Sequence, residues 1–144
     1  MATAKAQARW TGTLKEGTGS MQGASGHFKA PFTFATRFEG AAGGTNPEEL
    51  IGAAQAGCFS MFLAAQLTNA GHPPTSIDTT ATVTLGDGPT ITKIALETVA
   101  VVPGVSQAVF DEKVAFSKQN CPISKALAAV PELALTAKLT SATN

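Results

Sequence analysis

The feature that most constrains this chain is a long apolar helix whose start and stop are both written in the sequence. Thr45-Asn46-Pro47-Glu48-Glu49 opens it. Asn46 is a natural N-cap, and Pro47 fits the first helical position because its missing N–H is not needed there. Glu48 and Glu49 meet the positive end of the helix dipole, and Glu49 completes a capping-box-like pattern with Asn46. Gly71, with Pro73 and Pro74 behind it, closes the segment. The pattern predicts one helix from Pro47 to about Asn69. Residues such as Ile51, Ala54, Phe59, Phe62 and Leu67 leave it apolar nearly all round, which predicts a buried, central element. Gln55, Ser60 and Gln66 interrupt the run, as suits a core helix better than a membrane span.

The remaining segments read mostly as strands. Residues 6–14 and 20–28 are extended, and 32–38 form a third strand in which Phe32, Phe34, Thr36 and Phe38 alternate with Arg37 on the other side. Residues 78–85 and 90–102 make an antiparallel hairpin across Gly86-Asp87-Gly88-Pro89. A second helix covers 106–119, a short third one opens at Asn120-Cys121-Pro122 and runs to about Ala129, and 132–140 alternate as a last strand. No internal repeat or domain boundary is visible. The order of elements predicts a single domain over 1–144 in the α+β class, with antiparallel pairing.

Composition excludes several functions. The chain has 144 residues, of which 44% are hydrophobic and 14% charged, with zero formal net charge. So little charge hints that some apolar surface is buried between subunits. Lysines and arginines are scattered, so no basic stripe exists for nucleic acid. The N-terminus lacks the apolar run of a secretory signal, which predicts a cytoplasmic protein. Two cysteines are too few for a secreted disulfide framework, and His27 and His72 show no metal-ligand spacing with them. No cofactor or metal is expected.

Redox or nucleophilic chemistry at Cys58 and Cys121 remains, beside the plainer reading of two buried, inert thiols. Cys121 precedes Pro122 at a helix start, where free N–H groups and the dipole lower a thiol pKa. Cys58 lies mid-helix among apolar neighbours and is harder to ionise. Local physics therefore nominates Cys121 as the more acidic thiol. Cys58 becomes the better nucleophile only if the fold brings it a cation, and Arg37 is the candidate. Glu48 could orient that arginine. Helix rise separates Glu48 from Cys58 by roughly 15 Å, so one site can use both only through a second chain or a long bridging arginine.

Thr45 to Ala54, followed by Cys58-Phe59-Ser60-Met61, closely resembles the active-site helix of the OsmC/Ohr family, the osmotically inducible protein C and organic hydroperoxide resistance proteins. Asn120-Cys121-Pro122-Ile123-Ser124-Lys125 resembles that family's second cysteine motif. Thr36 to Gly40, Thr75 to Ala81 and Ile91 to Leu96 resemble the OsmC branch in particular. The resemblance implies antiparallel sheets wrapped around a long central helix in an intertwined homodimer. It also implies that Cys58 is the peroxidatic and Cys121 the resolving cysteine, with Arg37 and Glu48 matching the family's arginine and glutamate. The activity implied is reduction of organic hydroperoxides through a Cys58 sulfenic acid and a Cys58–Cys121 disulfide, recycled by an external dithiol. An apolar pocket of Phe34, Phe59, Met61 and Phe62 would take the organic group. The alternative is a thiol-based sensor or binding module in which the same disulfide forms once and is not recycled.

Overall fold

The structure, a computed structural model, describes residues 1–140. The last four residues of the predicted domain lie outside the described ones. The backbone divides into two compact units, Met1–Leu50 and Ile51–Asn144.

In the first unit, β1 (Ala6–Thr11), β2 (Thr18–Gly23) and β3 (Lys29–Phe32) form an antiparallel sheet in that order. Trp10, Gly19 and Phe32 share one row of the register. The central glycine lets the two aromatic rings meet over it, with centroids 5.2 Å apart. A Cβ on Gly19 would sit 2.6 Å from both rings. The predicted third strand is partly wrong: residues Phe34–Phe38 form a short helix, α1. Thr33 caps it, and the Thr33 and Thr36 side chains close a reciprocal capping box. Those bonds satisfy the first-turn donors and outweigh the alternating aromatic pattern. In the helix Phe34 and Phe38 become i,i+4 neighbours, 4.9 Å between centroids.

The helix α2 (Pro47–Asn69) begins in the first unit and continues into the second, with the bounds its caps predict. The second unit adds β4 (Ser76–Gly86), β5 (Thr90–Val101), α3 (Gln107–Asn120), α4 (Pro122–Ala126) and β6 (Glu132–Thr140). β4 and β5 pair antiparallel, as expected. β6 pairs parallel to β5, against the expected antiparallel pattern. The reason is the connection: α3 and α4 carry the chain back along the sheet, and such a crossover delivers a parallel strand.

The apolar core lies in this unit. Phe59, Leu63 and Leu67 of α2 are fully buried with Ile94, Leu96 and Ala100 of β5 and Phe110 of α3. The first three recur every fourth residue, so they form one stripe. On the other side of α2, Ala53, Gly57, Met61 and Ala65 are exposed. The helix is therefore buried on one side only, not all round. By length and composition alone α2 could cross a membrane, but its buried stripe packs into a protein core that also encloses Gln55.

Candidate active site

The four residues singled out by the sequence form two pairs, one in each unit. Arg37 and Glu48 make the first. Arg37 projects from the last turn of α1, and its Nη2 donates to Glu48 Oε1 at 2.8 Å. Its Nε donates to both carboxylate oxygens at 3.3 Å. Glu48 is buried while the arginine side chain stays one-third exposed. A guanidinium held on one edge by a buried carboxylate keeps its remaining N–H groups available for another oxygen.

Local hydrogen bonds hold both partners in place. Thr36 Oγ1 donates to the Thr45 carbonyl at 2.9 Å, and Asn46 Nδ2 donates to the Thr36 carbonyl at 3.3 Å. Asn46 Oδ1 accepts from the Glu49 N–H at 2.8 Å, the N-cap read from the sequence, and Thr45 bonds to Glu49. These bonds tie α1 to the first turn of α2. The Arg37 guanidinium carbon also lies 5.2 Å from the Phe38 ring centroid. Beside it opens a cleft of about 240 Å³ lined by Trp10, Leu14, Phe32, Thr33, Phe34, Arg37 and Phe38.

Cys58 and Cys121 make the second pair. Both thiols are free, and their sulfurs are 2.8 Å apart. Folding thus brings together two residues 63 positions apart in sequence. Cys58 is partly exposed, whereas Cys121 is sealed at 0%. Two residues beyond Cys58, Ser60 bonds to Thr79 at 2.7 Å, and Thr79 to Thr98 at 2.9 Å, pinning α2 to the sheet. Cys121 ends α3 and caps α4, and its sulfur accepts the Ser124 N–H at 3.5 Å.

The two thiols differ in acidity. Burial pushes Cys58 up, and its hydrogen bond to Cys121 adds to the rise. Burial also pushes Cys121 up, but hydrogen bonds from Cys58, from the Ser124 N–H and hydroxyl and from the Ile123 N–H outweigh it, so the thiol falls below 9.0. The helix-start N–H groups of Ser124 and Ile123 contribute to this lowering, behind the bond from Cys58. Neighbouring thiols of this kind share their protons, so each ionisation belongs to the pair.

The anticipated apolar pocket is corrected in part. Phe34 lines the aromatic cleft. Phe59 is core, Phe62 stacks on Phe116, and Met61 lies in the open. Among the residues that sequence reasoning missed, Trp10 and Phe32 line the cleft. Gln55 and Ser124 are also missed, both buried and bonded to each other at 2.7 Å. A glutamine one turn before the cysteine in a mostly apolar helix was the available signal for Gln55.

Comparison with known proteins identifies the family. A family model described as OsmC-like protein matches residues 40–136. The peroxiredoxin OsmC of Escherichia coli (strain K12) is 50% identical over 129 residues, covering 87% of this chain and 90% of that protein. Among solved structures, an OsmC-like protein from Vibrio cholerae superposes with a TM-score of 0.75 at 16% identity, over 95% of this chain and 99% of that one. The organic hydroperoxide resistance protein OhrB of Bacillus subtilis gives 0.67 at 22% identity, over 96% and 98%. At such identities the structural matches speak for the α+β fold alone. The family match and the half-identical relative go further: this chain belongs to the OsmC-like protein family.

Proposed function

We propose that this protein is a thiol-dependent peroxidase that reduces organic hydroperoxides to alcohols and serves in stress defence. The observation that carries the reading is the pair of free sulfurs 2.8 Å apart, one open to solvent and the other sealed. Accessibility orders their roles. A peroxide can approach Cys58, whereas Cys121 is reached only through Cys58. The more acidic thiol is thus the less accessible one, and Cys58 needs a cation to work as a thiolate. Arg37, oriented by Glu48, is our assignment for that cation.

The Cys58 thiolate attacks the terminal peroxide oxygen. An S–O bond forms, the O–O bond breaks, and the alkoxide leaves as an alcohol after taking a proton. Arg37 stabilises the negative charge on the departing oxygen, and the aromatic cleft beside it takes the organic group. The Cys121 sulfur then attacks the Cys58 sulfenic acid, the S–S bond forms, and hydroxide leaves as water with the Cys121 proton. An external dithiol returns two electrons and two protons.

We further infer that the chain acts as a homodimer. The exposed apolar face of α2, with Ala53, Gly57, Met61 and Ala65, supports this, as do the exposed aromatics Trp10 and Phe38. The assembly determines which copy supplies the ion pair to each thiol pair. A reducing compartment such as the cytoplasm suits a resting state with two free thiols.

The test is a steady-state assay with tert-butyl hydroperoxide and a dithiol. Many turnovers per chain are expected, with loss of two free thiols per chain when the reductant is omitted. A single turnover despite excess dithiol would make the protein a sensor.

A further inference from the structure

Gln55 of α2 and Ser124 of α4 are both buried, and the peroxidase mechanism leaves them without a task. Gln55 stands three residues before Cys58, and Ser124 three residues after Cys121. On helical backbone that spacing makes side-chain neighbours. The two segments therefore meet at two successive rungs. One is the sulfur–sulfur contact at 2.8 Å, and the other is the bond from Gln55 Nε2 to Ser124 Oγ at 2.7 Å.

Backbone bonds join the rungs on the α4 side. The Ser124 N–H donates to the Cys121 sulfur at 3.5 Å, and the Lys125 N–H to the Cys121 carbonyl at 3.0 Å. On the α2 side the continuous helix joins them. Gln55, Ser124, Cys121 and Cys58 thus close a ring in which holding the polar rung holds the sulfurs. α4 has only five residues, too few to be stable as an isolated helix, so its placement depends on contacts of this kind. The chemistry of the rung is also informative. Gln55 Oε1 is buried without a partner among the described residues, a cost that an apolar side chain of similar size would avoid. An apolar contact would let α4 slide along α2, whereas a hydrogen bond fixes distance and direction.

We propose that Gln55 and Ser124 are positioning residues whose bond clamps α4 to α2 and keeps the Cys121 sulfur within reach of Cys58. The clamp matters once peroxide has made the Cys58 sulfenic acid, which then has two fates. In one, the Cys121 sulfur attacks it. The S–S bond forms, the S–O bond breaks, and the oxygen leaves as water with the Cys121 proton. In the other, a second hydroperoxide transfers an oxygen to the same sulfur, giving a sulfinic acid and a second molecule of alcohol. That product is not recovered by a dithiol. Holding the two sulfurs together favours the intramolecular fate.

The place of the clamp in the cycle rests on the peroxidase reading, but the dithiol–disulfide potential is measured without peroxide, so the two can fail separately. In a glutathione redox buffer, Ser124→Ala is expected to lower the equilibrium constant for disulfide formation by about three- to fivefold, raising the potential by about 14–21 mV. The reduced variant can let its sulfurs part, whereas the disulfide cannot. Gln55→Met, close in size but without a donor, is expected to do the same. The two changes together should shift the potential no further than either alone. Ser124→Thr, which keeps the hydroxyl, should restore the parent value. A potential unmoved by both single changes, even with lower unfolding stability, makes the bond structural only and overturns the proposal. Additive shifts overturn the pairing of the two residues. With excess tert-butyl hydroperoxide and no reductant, the sulfinic acid fraction read by mass spectrometry is expected to rise by about three- to fivefold in either variant. An unchanged fraction overturns the protective role. A parent chain inert to the peroxide would sink the peroxidase reading instead, and the potential would still decide the clamp.

Discussion

Residues 51–140 bury an apolar core beside a few polar groups, whereas residues 1–50 bury polar side chains only. The former enclose an apolar cluster of Phe59, Leu63, Leu67, Ile94, Leu96 and Phe110. In the latter no apolar side chain is buried among the described residues, and the buried side chains are Thr36, Thr45 and Glu48. Trp10, Leu14, Phe28 and Phe38 are all exposed there, and every residue of β1 is exposed. A small antiparallel sheet is stable only when one face is covered. The thiol pair thus sits where the chain provides its own core. The ion pair sits where hydrogen bonds give local order and apolar cover is still lacking. A second copy would provide that cover, which is the strongest physical support for the proposed dimer.

The largest expected effect tests whether the thiol region is the reacting one. Cys58→Ser should reduce hydroperoxide turnover by at least about a thousandfold, measured with excess dithiol. Parent-level activity in that variant would remove Cys58 from the mechanism. Next comes the contrast in stability. Leu63→Ala should cost about 2–5 kcal/mol in denaturant unfolding because it empties a closed core. The single tryptophan, Trp10, reports on the other region. Its emission should depend on protein concentration under conditions where helical circular dichroism does not, if a second copy covers the first sheet. Concentration-independent emission across the range where the oligomer dissociates would break the comparison.

Arg37→Met should lower kcat/KM for hydroperoxide by about a hundredfold, the scale of losing one preorganised donor to a developing anion. Stopped-flow peroxide consumption checks this. The same change leaves Glu48 buried and unpaired, so adding Glu48→Gln should recover stability without recovering activity. The smallest effect concerns pH. Cys121 ionises below the ordinary 9.0 and Cys58 above it. As pH rises through the lowered value, the native state loses its proton before the unfolded chain does, so stability rises. Between 9.0 and the raised Cys58 value, the unfolded chain loses a proton that the native state keeps, so stability falls. The reduced protein should therefore show a local stability maximum near 9.0. A curve falling steadily through that range would contradict the division of acidity between the two sulfurs.

Local chemistry made α2 and the β4–β5 hairpin legible, because caps, Gly and Pro act within a few residues of where they stand. The same kind of evidence misled at Phe34–Phe38. There the alternating aromatics imitated a strand, and the Thr33–Thr36 box outweighed them. The parallel placement of β6 depends on the path of α3 and α4, and no local pattern records it. The acidity of Cys121 was readable from its place at a helix start. The proximity of Cys58 to Cys121 was expected only from the resemblance, because spacing along the chain carries no information about a contact 63 residues apart. The contact between Gln55 and Ser124, 69 positions apart, was invisible for the same reason.

The complete enclosure of Cys121 would give the proposed Cys58–Cys121 disulfide a front and a back. Electrons would then enter from the Cys58 side, with the reductant attacking that sulfur and expelling the other. The expelled sulfur is the one whose surroundings already favour the anion, which makes it a good leaving group. The geometry that hides one thiol from peroxide therefore also gives the return half of the cycle a single direction.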